Sequence, residues 1–275
     1  MTAAGSPTGP SSGKTEGGPA AGIGVVELAK SYGHVTALSS VTMAARMGEI
    51  VAIVGDNGAG KSTLVKLMSG AARPDRGRIF VHGQPCDFHS PVAARAAGVA
   101  TVYQDLAVVD VLDVATNMFI GQIPTRARFV VDRKRMERDA EKVLRDLNIR
   151  VGSVRTSMGM LSGGQRQIIA VARAIGAGSS IVILDEPTAA LGVRESAQTL
   201  DLMRGLRAQG KAVIVVSHDI GAVFDVADRI VVVRLGKVAG VRRTDQTTRE
   251  EVVRLITGAQ PADTAEVHGP VEASA

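Results

Sequence analysis

The sequence predicts an α/β fold: a parallel sheet wound by helices, with an antiparallel side sheet and an inserted helical lobe. Three observations predict it. First, the runs Ile50–Val54, Ile181–Leu184, Ala212–Val216 and Ile230–Val233 are continuously apolar and bounded by turns, as expected of strands covered on both faces. Second, Ile50–Val54 leads into a glycine-rich stretch, Gly55 to Thr63, and then into Leu64–Met68, which has helical composition and ends at Gly70. Third, Met136, Ala140, Val143, Leu144 and Leu147 recur at i, i+4, i+7, i+8 and i+11 with charges between them, the stripe of an amphipathic helix.

Taken in chain order, residues 1–22 are rich in Gly, Ser, Pro, Thr and Ala, too poor in apolar side chains to repay ordering, and are expected to form a flexible tail. Val25–Leu28 and Val41–Met43, with turns at Gly33 and Met47-Gly48, predict antiparallel strands. Arg78–His82, between Gly77 and Gly83, and Gly98–Val102 read as further strands. The chain turns helical in character from Val111 to Leu161, and a helical subdomain is expected at about 91–165. Thr248-Arg249-Glu250-Glu251 fits a capping box opening a last helix that closes at Gly258. One domain over 23–258 and a second flexible tail over 259–275 complete the expected organisation.

Composition narrows the function. With 275 residues, 45% of them hydrophobic, the chain can bury a full core. Aromatic residues make up 3% with no Trp, which argues against stacking platforms for single-stranded nucleic acid. The net charge of +5 is dispersed, and the densest basic cluster, Arg133-Lys134-Arg135, is followed at once by Glu137, Asp139 and Glu141. That is a mixed helix face, so no nucleic-acid partner is expected. Cys86 is the only cysteine, which precludes an intramolecular disulfide and suits a reducing compartment. No apolar run approaches the roughly 18 residues of a membrane span, and no signal-peptide core is present. The protein is expected in the cytosol, meeting a membrane only through a partner.

The spacing Gly55-x4-Gly60-Lys61-Ser62 between strand and helix is that of a phosphate-binding P-loop. Glycines let backbone N–H groups converge on phosphate oxygens, and the helix N-terminus adds partial positive charge. Lys61 would neutralise the β- and γ-phosphates and the Ser62 hydroxyl would ligate Mg²⁺. Asp185-Glu186 ends the apolar run Ile181–Leu184, at the strand tip where α/β sheets bind ligands. Asp185 is placed to hold Mg²⁺ through water, and Glu186 to polarise an attacking water. Ser162-Gly163-Gly164-Gln165 opens a helix, forming an anion site with no anion source nearby in the chain. Gln104 and His218 follow two further strands.

Together these residues resemble the ATP-binding cassette ATPases over nearly all of 23–258, the Leu161–Gln165 motif shortly before Asp185-Glu186 being the most specific feature. The resemblance implies a P-loop NTPase with a RecA-like core, an antiparallel β subdomain and a helical subdomain. It implies ATP and Mg²⁺ as ligands, with Tyr32 stacking on adenine and Gly55, Asn57, Gly58, Ala59, Gly60, Lys61, Ser62 and Thr63 holding phosphates. Ser62, Gln104 and Asp185 would serve the metal; Glu186 would be the catalytic carboxylate, with Gln104 acting beside it in the loop that senses Mg²⁺, water and the membrane partner, and His218 would sense the γ-phosphate. Ser162 and Gly164, flanked by Gly163 and Gln165, would contact ATP held by a second copy, which supplies the missing anion and implies a head-to-tail homodimer. The family usually reads Ser-Ala-Leu-Asp after the Glu-Pro-Thr; here Ala189-Ala190-Leu191-Gly192 lacks the carboxylate that usually reaches the opposing P-loop.

Tyr103–Ala107, Val114–Gly121, Ala190–Val193 and Leu255–Gly258 resemble, more softly, the ATPases of simple-sugar importers of the ribose, xylose and fructose type, in a single-cassette form. That implies an integral membrane permease as partner, an extracytoplasmic solute-binding protein acting indirectly, and a peripheral position on the cytoplasmic face of the membrane. An importer of amino acids, lipids or metals, and a regulatory ATPase without transport, stay open at this point.

Overall fold

The computed structural model describes residues 21–126, 129–176, 178–189 and 191–262. Of the two expected tails, 1–20 and 263–275 lie outside the described residues, as does Ala190 of the Ala190–Val193 stretch. Ala21 and Gly22, assigned to the first tail, begin strand β1.

Strands β1 (Ala21–Tyr32) and β2 (Val35–Arg46) form a long antiparallel hairpin, with β4 (Arg76–Val81) pairing to β1 and β5 (Gln84–Cys86) to β4. The two first strands run longer than their short apolar patches suggest. Irregular pairing around Val25 to Leu28, with Glu27 at φ +49°, absorbs the break in alternation.

The parallel core contains β3 (Ile50–Val54), β6 (Val99–Val102), β9 (Ile181–Asp185), β10 (Ala212–Val216) and β11 (Arg229–Arg234), and β12 (Lys237–Arg243) returns antiparallel beside β11. The full order is β5-β4-β1-β2-β12-β11-β3-β10-β9-β6. A single residue pair, Lys237 with Ser40, joins the antiparallel and parallel parts. Because β3 and β10 are buried at every position, their sequences cannot alternate. Val51, Ile53, Ile214 and Val216 face the core beneath the antiparallel sheet and helix α1 (Lys61–Met68). Ile50, Ala52, Val54, Val213 and Val215 face the helices on the other side.

The remaining helices are α2 (Pro91–Ala96), α3 (Val114–Met118), α4 (Arg133–Asp146), α5 (Gly163–Gly176), α6 (Val193–Ala208), α7 (Ile220–Val226) and α8 (Arg249–Thr257). A two-stranded ribbon, β7 (Thr125–Arg126) with β8 (Val130–Val131), precedes α4. The stripe expected on α4 buries Met136, Ala140 and Leu144, with Val143 and Leu147 half-buried. These pack with Val114, Met118, Met158 and Leu161 into a separate core. Within the helical region expected at about 91–165, residues 91–102 instead supply α2 and the edge strand β6, which pairs with β9. Helix α5 belongs to both cores: Ile169 and Ala172 face the lobe, while Ile168, Val171 and Ile175 face the sheet. On α8, Thr248 Oγ caps the Glu251 N–H at 3.2 Å and Gly258 closes the helix at φ +79°, but the return half of the box is not formed, the Glu251 carboxylate accepting instead from Arg242 at 2.7 Å and Thr247 Oγ at 2.8 Å.

Arg229 ties three elements at the other end of the sheet. Its Nε and one Nη meet the Glu49 carboxylate at 2.9 and 3.0 Å, and it also donates to the Ala44 carbonyl. Both charged side chains are largely buried, at 11% and 14% exposure. Glu49→Ala leaves that guanidinium without its counter-charge and is expected to cost about 3 kcal/mol. Urea denaturation reads this as a lower midpoint at unchanged slope, and replacing both residues with Met is expected to cost less than the single change.

Candidate functional site

The register of the parallel strands brings the separately read motifs together. Val216 of β10 stands opposite both Ile53 of β3 and Asp185 of β9, and Leu184 of β9 stands opposite Val102 of β6. The residues that follow, Gly55, Glu186, His218 and Gln104, therefore leave one edge of the sheet within a few residues of one another. That carboxyl edge is where open α/β sheets bind ligands.

The loop Gly55–Gly60 is shaped by close backbone approaches. A Cβ on Gly55 would collide with the Val233 carbonyl, and one on Gly60, at φ +109°, would come 2.6 Å from the Ala37 carbonyl and from Leu38. Gly236 N–H donates to the Ala59 carbonyl at 2.9 Å, so the β11–β12 turn buttresses the loop. Gly60 is the N-cap of α1 and offers no side chain to its first N–H groups, which leaves them for an anion. Lys61, 8% exposed, folds back so that Nζ donates to the carbonyls of Gly55 at 2.6 Å and Asp56 at 2.9 Å. A buried ammonium held by neutral acceptors, inside a ring of open N–H groups, fits a polyphosphate.

Across from the loop, burial pushes the Asp185 carboxyl up, the Glu186 charge adds to this, and Lys61 opposes it. Glu186 adopts φ +51° and anchors its own N–H to the Val216 carbonyl at 2.9 Å. His218 Nδ1 stands 2.9 Å from Glu186 Oε2, a buried oxygen with no other partner among the described residues. With one neighbour and two lone pairs, that oxygen keeps a site for a water. Ser62 is exposed and Thr63 half-buried at the loop's end. A divalent cation fits this donor set of Ser62 hydroxyl and Asp185 carboxylate.

Tyr32 ends β1, paired with Val35 on the hairpin whose Ala37 abuts Gly60, and its ring is 48% exposed with Lys30 Nζ 5.6 Å above the centroid. Gln104 is exposed just past β6. The segment after it is pinned by two residues that sequence reasoning did not single out. Arg173 of α5 donates to the carbonyls of Leu106 and Ala107 at 2.9 and 3.0 Å. Fully buried Asn117, marked in the sequence only as part of Val114–Gly121, accepts from Val109 N–H at 2.8 Å and donates to the carbonyls of Val109, Leu112 and Asp113. A polar side chain inside an otherwise apolar helical turn was the available signal for Asn117.

Ser162 and Gln165 cap one another: Ser162 Oγ accepts from Gln165 N–H at 3.3 Å, and Ser162 N–H donates to Gln165 Oε1 at 3.0 Å. This reciprocal box opens α5, with Gly163 and half of the next turn stripped of side chains. Gly164 is buried, and a Cβ there would collide with Glu195 of α6.

A glycine loop beneath which four parallel strands deliver their ligands to one edge makes this a P-loop nucleoside triphosphatase. Within that class the chain belongs to the ABC transporter family, whose model matches residues 38–189. It is 44% identical over 240 residues to the fructose import ATP-binding protein FrcA of Rhizobium meliloti, spanning 85% of this chain and 92% of that one. It is 42% identical over 231 residues to the xylose/arabinose import ATP-binding protein XylG of Sulfolobus acidocaldarius, spanning 84% and 92%. The ribose import ATP-binding protein RbsA of Chromobacterium violaceum is 39% identical over 86% of this chain, which spans 47% of that longer protein. In structure, a nucleotide-free ATP-binding cassette from an ABC transporter superposes with a TM-score of 0.75 at 22% identity over 86% of this chain and 95% of its own. A dimeric post-hydrolysis cassette bound to ADP and Pi gives 0.68 at 25% identity over 81% and 98%. Among the described residues, no helix is long and apolar enough to cross a membrane.

Because the folded state raises the Asp185 pKa, holding its charge costs stability above that pKa and costs nothing below the ordinary carboxylate range. Asp185→Asn is therefore expected to raise the unfolding temperature of the nucleotide-free protein at pH 7. The gain should fade as pH falls toward 3.8, a trend that thermal melts across pH will check.

Proposed function

We propose that this chain is the ATP-hydrolysing subunit of an importer of a simple sugar, acting at the cytoplasmic face of the membrane on an integral permease. The observation that carries the ATPase reading is the buried oxygen of Glu186, with only His218 beside it, at the same sheet edge that carries the Lys61 loop. The sugar-import reading draws on the two relatives of which this chain covers 92%.

Lys61 exchanges the Gly55 and Asp56 carbonyls for phosphate oxygens, with the N–H groups of the loop and of the first turn of α1 completing the cradle. Tyr32 lies against the base. Glu186 Oε2 accepts a hydrogen bond from the attacking water and polarises it, while His218 turns its exposed ring toward the terminal phosphate. Ser62, Asp185 and Gln104 would hold Mg²⁺, which would supply charge neutralisation on the phosphates. The Ser162–Gln165 helix opening takes its anion from a second copy, so two chains close head to tail on two ATP molecules. Binding energy for the closed pair then drives the permease, a population shift that needs only greater affinity for the closed state. A solute-binding protein outside the membrane delivers the sugar.

The permease docks in a cleft of about 270 Å³ between the sheet and the helical lobe, lined by Tyr103, Leu106, Phe119, Gln122 and Arg173. Leu106 and Ala107, whose carbonyls Arg173 holds, lie in its wall, and Asn117 holds the next stretch of the same segment beside it.

Glu186→Gln is expected to lower the ATPase rate by about 10²- to 10⁴-fold and to trap an ATP-dependent dimer, read by analytical ultracentrifugation near physiological ionic strength. A variant that stays monomeric at high protein concentration would remove the dimer. Val108→Thr with Val109→Asp is expected to spare ATPase activity and abolish sugar uptake in cells; unaltered uptake would place the permease elsewhere.

A further inference from the structure

One carboxylate fills the space left by two glycines on the closure surface. Glu195, in the first turn of α6, lays its Cβ and Cγ against Gly164, where a Cβ of the glycine's own would collide with both. The same side chain carries Oε2 to 2.7 Å from the point where a Cβ on Gly192 would stand. A glutamate three residues past the N-cap commonly reaches back to the N-cap N–H; this one does not. Although half-buried, its carboxylate has no hydrogen bond or ion pair among the described residues, and only its backbone carbonyl is engaged, by Thr199 Oγ.

We propose that Glu195 supplies to the closed dimer the carboxylate that position 192 lacks, accepting a hydrogen bond from the Asn57 amide of a second copy's phosphate loop. This rests on the head-to-tail dimer. In that arrangement Ser162–Gly164 faces the other copy's loop, so a side chain packed on Gly164 and Gly192 meets the same loop. The exposed residues there are Asp56, Asn57 and Gly58, of which Asn57 alone has a side-chain donor. A carboxylate that loses water on closure must gain a donor, and Asn57 provides it. The geometry also makes positions 192 and 195 mutually exclusive: a second carboxylate at 192 would stand against Glu195 Oε2.

The test uses the ATP-trapped Glu186→Gln protein as parent, with dimerisation measured by ultracentrifugation. Adding Glu195→Gln, which keeps the shape, is expected to weaken ATP-dependent dimerisation at least about tenfold, one charge-assisted hydrogen bond being lost at each of two equivalent sites. Binding of a fluorescent ATP analogue to the dilute monomer is expected to stay unchanged. Gly192→Asp alone is expected to weaken the dimer as well, whereas Glu195→Ala combined with Gly192→Asp restores it to within about threefold of the parent. A merely structural role for Glu195 would not be rescued by moving its charge to residue 192. Parent-like dimerisation of the Glu195→Gln protein, or no rescue by Gly192→Asp, overturns the proposal while leaving the dimer intact. A parent that stays monomeric removes the dimer and this proposal together.

Discussion

Everything at the site depends on the in-register parallel pairing of β6, β9, β10 and β3. Parallel strands need crossovers that return each chain to the same starting edge, so all of them end on the same side. A loop after one strand, a carboxylate pair after another and lone Gln and His residues after two more thus converge, though they are scattered over more than half of the sequence. Burial on both faces enforces the register, because a slip would exchange the two apolar surfaces that serve different helices and sheets. The polar groups themselves sit just past the strands, where the core no longer excludes them.

Helix α5 converts that static edge into a mechanical link. One of its faces is packed in the lobe and another on the sheet, and its N-terminus carries the reciprocally capped Ser162 and Gln165. Farther along, Arg173 holds the backbone after Gln104. A displacement of the lobe therefore moves both the capped helix opening and the wall of the cleft beside β6, through one rigid element. Interiors packed in this way shift between discrete arrangements and do not deform smoothly.

Much of this was legible in the sequence, for reasons of scale. Strands buried on both faces, a P-loop and a capping box are local patterns, each complete within a dozen residues or fewer. The amphipathic stripe of α4 likewise needs only its own period. What stayed hidden depends on distant contacts. Gly98–Val102 was legible as a strand, but that it forms the sheet edge beside β9, and so lies outside the helical lobe expected from about 91, depends on a pairing distant in the chain. Arg173 reads as one more basic residue until its two carbonyl partners, more than sixty residues earlier, are known. Glu195 reads as an ordinary helix-opening acid, and nothing near it in the chain reveals that it overlies Gly164. Gly55, Gln104, Glu186 and His218 follow strands that end at one edge of the sheet, and the roles read for them are what the variants address.

The folded-back Lys61 has one more implication, for turnover. Its ammonium is already satisfied by two carbonyls of its own loop, so the loop carries an internal competitor for whatever anion enters. Incoming phosphate has to displace these acceptors, which trims affinity. An anion leaving Lys61 would leave a cation with two acceptors already in reach, without waiting for solvent to enter a buried place. The loop thus keeps its shape through Lys61 itself, whose two carbonyl contacts span its first turn.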